Sequence, residues 1–147
     1  MSTTREALIK RLEEASEGSR ELNNLIAPVA GWHRVEPRHA GNKHGAWIAP
    51  EDWLGRDSDG KPRLDSLHGT TMHREAPDFT RSLDAAMSLV RSALPGWWMR
   101  KLAEHSDGWY CTLLYAPDQS SSEQRKTAAL AVTTAALRAL SPSKVTT

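Results

Sequence analysis

Residues 78–116, DFTRSLDAAMSLVRSALPGWWMRKLAEHSDGWYCTLLYA, constrain this chain most, because an amphipathic helix pattern there runs straight into two aromatic-rich strand patterns. Ser82 is a natural N-cap and Asp84 places a negative charge in the first turn. Leu83, Ala86, Met87, Val90 and Leu94 recur at helical spacing, and Pro95-Gly96 stops the helix. The runs 97–103 and 109–116 flank Ser106-Asp107-Gly108, turn chemistry that reverses the chain and predicts a hairpin. A hairpin with one apolar face needs a helix against it. The expected class is therefore α+β: a small, mainly antiparallel sheet with helices on both faces.

A chain of 147 residues is long enough to bury a core without disulfides or metals, so one domain over 1–147 is the default. A net charge of +1 creates no global field for nucleic acid or an anionic membrane, and binding of either kind needs a local patch. The one cysteine, Cys111, fits a reducing cytoplasm and reads as a small apolar strand residue. The N-terminus is too charged for a signal-peptide core, and no apolar run approaches a membrane span. A cytoplasmic location, without membrane association, is expected.

Thr3 with Glu6 suggests a capping box for a first helix with Leu8, Ile9, Leu12 and Ala15 on one side, ended by Gly18. A second helix follows Ser19, with Leu22, Leu25, Ile26 and Val29 in register, closed by Pro28 or Gly31. Residues 32–76 then lose periodicity and read as a long irregular excursion. Short extended pieces are expected at 32–36 and 46–49, and a turn at 57–62. Beyond the hairpin, a polar link leads to a last helix over 122–140, with Ser120 and Glu123 as a further capping box. Residues 141–147 are expected to fray.

No catalytic constellation is evident. The chain has no Gly-x-Ser-x-Gly, no Cys near a His and no glycine-rich phosphate loop. His33, His39, His44, His68 and His73 crowd the excursion without metal-ligand spacing, and Glu13-Glu14 and Glu51-Asp52 read as solvated acid pairs. Neither a metal, a cofactor nor a catalytic residue is expected. Tryptophan is in excess. Trp97, Trp98 and Trp109 suit strands, whereas Trp32, Trp47 and Trp53 stand among Arg34, Arg38, His39, Lys43 and His44. Aromatics interleaved with cations can stack a base and pair a phosphate, but they can also simply pin a long loop to its domain. As a ligand-binding set, these eight residues are the best candidate the chain offers.

In ASEGSRELNNLIA, FTRSLDAAMSLV with PGWWMRKL, and the Ala-rich TAALAVTTAALRAL, the chain resembles the phage ABA sandwich domain family, small proteins of bacteriophages and prophages. Asn23 stands where that family often has Asp. The resemblance implies a three-layer α/β/α sandwich and a phage or prophage origin, and it implies no enzyme activity. Three functions follow as expectations. The first is a non-enzymatic accessory protein that binds a host protein or sequesters a small anionic, even nucleotide, ligand through the segment from Trp32 to Arg56. The others are a single-stranded nucleic-acid binder using the same segment, less favoured, and a self-associating component of phage assembly. On this reading a charge introduced at Val90 or Leu137 lowers the melting temperature more than any change within 32–76, since each large apolar side chain buried is worth about 1.5–3 kcal/mol. Thermal melts of Val90→Glu and Arg38→Glu check the ranking.

Overall fold

A hydroxyl just ahead of the first turn, from Ser19, Ser82 or Thr127, decides where three of the helices begin. In the computed structural model, which describes residues 2–63, 72–115 and 119–140, helix α1 (Ser2–Glu14) buries Leu8, Ile9 and Leu12. The Thr3 side chain of the expected capping box falls outside the described set. Ser19 Oγ accepts from Leu22 N at 3.1 Å and caps α2 (Arg20–Val29). Leu25, expected in the apolar stripe, is exposed. Helix α2 is rotated so that Asn23 shares the buried face with Leu22 and Ile26, which turns Leu25 outward.

The chain is α+β and divides into two compact units, Met1–Ile26 with Asp78–Thr147, and Ala27–Pro77. The expected irregular excursion within one domain is thus a unit of its own. It holds β1 (His33–Val35), the short helix α3 (Pro37–Ala40) and β2 (Ala46–Ile48), followed by a 3₁₀ turn at Pro50–Asp52.

In the first unit Ser82 caps α4 (Leu83–Ala93) as expected, its Oγ accepting from Ala85 N at 3.2 Å. Leu89 takes the buried place expected of Leu83, which is exposed. Strands β3 (Trp98–His105) and β4 (Gly108–Tyr115) form the expected hairpin, antiparallel from His105 opposite Gly108 to Trp98 opposite Leu114. Gly108 sits at φ +139°, where a Cβ would lie 2.7 Å from the Arg125 carbonyl oxygen. The third strand is the main departure from the sequence reading. Gln119–Arg125, expected as a polar link and a helix start, is β5, paired with β4 from Tyr115–Gln119 to Trp109–Arg125. Ser121 and Glu123 suit this edge because their partners lie on the next helix, α5 (Ala128–Leu140): Ser121 Oγ donates to the Ala135 carbonyl at 2.8 Å, and Glu123 pairs with Arg138. The cap of α5 is Thr127, whose Oγ1 accepts from Leu130 N at 3.2 Å, and not Ser120.

Register sorts the sheet into two faces. Leu102, Cys111 and Glu123 align across the three strands, as do Met99, Leu113 and Ser121, and this face meets α5. Helix α5 touches all three strands, and α1 and α4 pack on α5. Every residue from Ala129 to Leu137 is buried, the signature of a helix enclosed on all sides. Small alanines allow that close approach. Burial, with Glu123 nearby, pushes the Cys111 thiol up to about 12, so it stays protonated and inert.

Two polar arrangements sit in this unit. In the first, Arg125 pairs with Glu123 at 2.7 Å and with Glu13 at 3.6 Å, and Arg138 pairs with the same two carboxylates. Burial pushes the Glu123 carboxyl above its ordinary range, against the pull of Arg125 and Arg138. In the second, Thr80 and Asn23 are buried together. Asn23 Oδ1 accepts from Thr80 N at 2.9 Å and from Thr80 Oγ1 at 2.7 Å, while Asn23 Nδ2 donates to Asp78 Oδ1 at 2.6 Å. Ser19 N donates to Thr80 Oγ1 at 3.0 Å. Gly18 lies so close that a Cβ would fall 2.1 Å from the Thr80 carbonyl oxygen. Thr80→Val keeps the shape and strands the Ser19 N–H, so urea unfolding is expected to show a loss of about 1–3 kcal/mol. An unchanged midpoint would mean that this network does not hold α2.

Candidate functional site

The second unit brings several of the eight candidate residues together, and side chains on neighbouring strands do most of the work. Strands β1 and β2 pair antiparallel with His33 opposite Ile48, Arg34 opposite Trp47 and Val35 opposite Ala46. Direct opposition places the Arg34 guanidinium over the Trp47 ring, 5.6 Å from its centroid. The same guanidinium donates to the His44 carbonyl at 2.5 Å and the Ala46 carbonyl at 3.3 Å. Trp47 also exchanges backbone hydrogen bonds with His73, at 2.7 and 2.8 Å, and the Trp32 ring meets His73 edge-on at 5.3 Å.

Between the two strands, residues 37–45 form a braced crossover. Pro37 opens α3, where its missing N–H costs nothing, and Gly41, at φ 74°, closes it with its N–H donating to the Pro37 carbonyl. Asn42 Oδ1 then accepts from His44 N at 2.8 Å and Gly45 N at 2.6 Å. A Cβ at Gly45 would lie 2.5 Å from the Val35 carbonyl oxygen, so the chain passes there only as glycine. Arg38 and Lys43 are exposed, as is His44, and His39 is half-buried. Arg38 pairs with Glu36 at 3.3 Å, both side chains largely in solvent, a contact worth little.

Beneath the crossover, Val35, Ala46 and Ile48 form a small core with Ala40 and Trp53 packed against it. Trp53 stacks on His33 at 3.9 Å with the rings 8° from parallel, and the Arg56 guanidinium lies 5.4 Å from the Trp53 centroid. The three tryptophans therefore have their own partners. Trp47 is only 6% exposed and already faces Arg34, so no base can stack on it without displacing that guanidinium. Trp32 and Trp53 are half-buried. What faces outward at the crossover is polar: Arg38, Lys43 and His44, with His39 half-buried.

Three contributors were missed in the sequence reading. Asn42 ahead of Gly45 is a recognisable side-chain turn signal. His33 and His73 carry none, because their partners Trp53 and Trp47 are distant in the chain. Among the described residues, no group of three or more His, Cys, Asp or Glu side chains is placed to hold a metal ion, and no helix is long and apolar enough to cross a membrane. His68 lies outside the described residues. No protein-family model, curated protein or solved structure matches this chain.

Burial, and then the nearby Arg56 charge, hold the His33 imidazole below its ordinary pKa. The folded state therefore favours neutral His33. That contribution is complete above pH 6.5 and is lost as the pH falls from 6.5 through the lowered folded value. His33→Phe keeps a ring against Trp53 without a titrating group, and melts between pH 7 and 5 should show a shallower acid-side decline for the variant than for the wild type.

Proposed function

We propose that this is a phage- or prophage-encoded accessory protein without catalytic activity, acting in the host cytoplasm. It engages an acidic host-protein surface or a small anionic ligand through the crossover 37–45. The observation that carries this reading is a contrast between the residues that brace this stretch and those that face out of it. Arg34 and Asn42 hold the backbone in place with four hydrogen bonds, whereas Arg38, Lys43 and His44 point their own charge or polarity into solvent. A loop whose shape is set in advance loses little conformational entropy when it binds. The weak Arg38–Glu36 pair can be given up to an incoming carboxylate or phosphate. Contacts of this kind are charge-assisted hydrogen bonds at the loop, with the tryptophans serving as supports. The likeness to the phage ABA sandwich family supports the proposed source and the absence of chemistry.

Calorimetry with inorganic phosphate and ATP, and capture of acidic proteins from host extract, test the reading. The double variant Arg38→Glu/Lys43→Glu is expected to weaken whichever interaction is found by tenfold or more, with the melting temperature unchanged. Equal binding by variant and wild type would remove the crossover as the site.

A further inference from the structure

The face of the three-stranded sheet turned away from α5 carries a different pattern. By register Trp98 lies opposite Leu114, Lys101 opposite Thr112, and Ala103 opposite Tyr110, which in turn lies opposite Gln124. Directly opposed residues share a face, and Cys111 and Leu113, which alternate with these, are buried on the α5 side. Trp98, Lys101, Tyr110, Thr112 and Leu114 therefore stand together on the far side. The only acidic residues within the strands, Glu104 and Glu123, occupy register positions of the α5 face.

Three further features single this surface out. Trp98 is 55% exposed, more than any other large apolar residue described. The Tyr110 hydroxyl donates to Asp107 Oδ2 at 2.8 Å and its ring meets His105 edge-on at 4.8 Å, so the ring is held in place. Beside it lies an open hollow of about 490 Å³ lined by Lys101, His105, Ser106, Asp107 and Tyr110. Along the strands, Trp98 and Tyr110 are four residues apart in register, about 13 Å, with Lys101 between them.

We propose that this sheet face is a binding platform for single-stranded nucleic acid, with one base stacked on Trp98, a base further along the same strand, beyond its immediate neighbour, on Tyr110, and a phosphate between them paired with Lys101. Aromatic faces interrupted by a cation match the alternation of bases and phosphates along a strand. A duplex buries its base faces in its own stack and does not fit. Because the net charge is only +1, binding depends on this local arrangement, is modest in strength, and falls as salt is added. The platform belongs to the first unit and shares no residue with the crossover 37–45.

Fluorescence anisotropy with a labelled mixed-sequence single strand, in DNA and RNA forms, tests the proposal against the matching duplex at low and moderate salt. The single strand is expected to bind, more tightly than the duplex and less tightly as salt rises. Trp98→Ala and Lys101→Glu should each weaken it by roughly tenfold, as loss of one stacked base or one phosphate contact requires. The crossover variant Arg38→Glu/Lys43→Glu should bind as the wild type does. Lys101 is exposed, so Lys101→Glu keeps the test decisive even where Trp98→Ala lowers stability. Three results would overturn the proposal: no binding at low salt, loss of binding only in the crossover variant, or sedimentation showing a wild-type dimer that Trp98→Ala converts to monomer.

Discussion

The hydrogen bonds among Ser19, Asn23, Asp78 and Thr80 hold together the two places where the chain leaves the first unit and returns to it. Asn23 can do this because an amide both donates and accepts. Its oxygen takes the Thr80 N–H and hydroxyl while its nitrogen donates to Asp78. An aspartate there would set a second carboxylate against Asp78. Burial works to raise the Asp78 pKa, but the hydrogen bonds from Arg81 and Asn23 and the charges of Arg81 and Arg20 outweigh it, and the net direction is down. The ionised form is thus the one the fold accommodates. With the two ends anchored, fifty or so residues can form a separate unit without disturbing the helices and sheet of the first.

Each unit is organised around a different kind of interior. In the first, α5 is enclosed by the sheet on one side and by α1 and α4 against it, and its alanines and buried threonines set how closely they approach. Thr133 Oγ1 donates to the Phe79 carbonyl at 2.7 Å and Thr134 Oγ1 to the Leu130 carbonyl at 2.7 Å, so neither hydroxyl is left bare in the core. The second unit has a much smaller apolar centre and relies on rings and guanidinium groups. Arg34 on Trp47, His33 on Trp53 and Trp32 against His73 do the work that aliphatic packing does elsewhere. That division explains why the tryptophans of the second unit serve as supports and leave the outward-facing role to Arg38, Lys43 and His44.

Much of the first unit was legible from pattern. The Ser82 cap, the Pro95-Gly96 stop and the hairpin across Ser106-Asp107 are local rules, and each was met where expected. The candidate site was legible only as a neighbourhood: Arg34, Trp47 and His44 do meet, while Trp53 joins His33 and Arg56 in a separate stack and Arg38 turns to Glu36. Strand β5 was missed because its residues, Gln, Ser and Glu, carry neither β-branching nor apolar alternation.

By itself the sequence determined the Ser19 start of α2, the start and stop of α4, the hairpin, and the α+β class, because caps, turns and periodicity act over a few residues. Tertiary structure alone decided that residues 119–125 complete the sheet, that the 32–76 stretch belongs to a unit of its own, and which face of the sheet α5 covers. Those outcomes depend on partners distant in the chain: Ser121 with Ala135, Trp47 with His73, Glu123 with Arg138. Such pairings leave no mark in a local window, since either partner alone reads as an ordinary polar or aromatic residue.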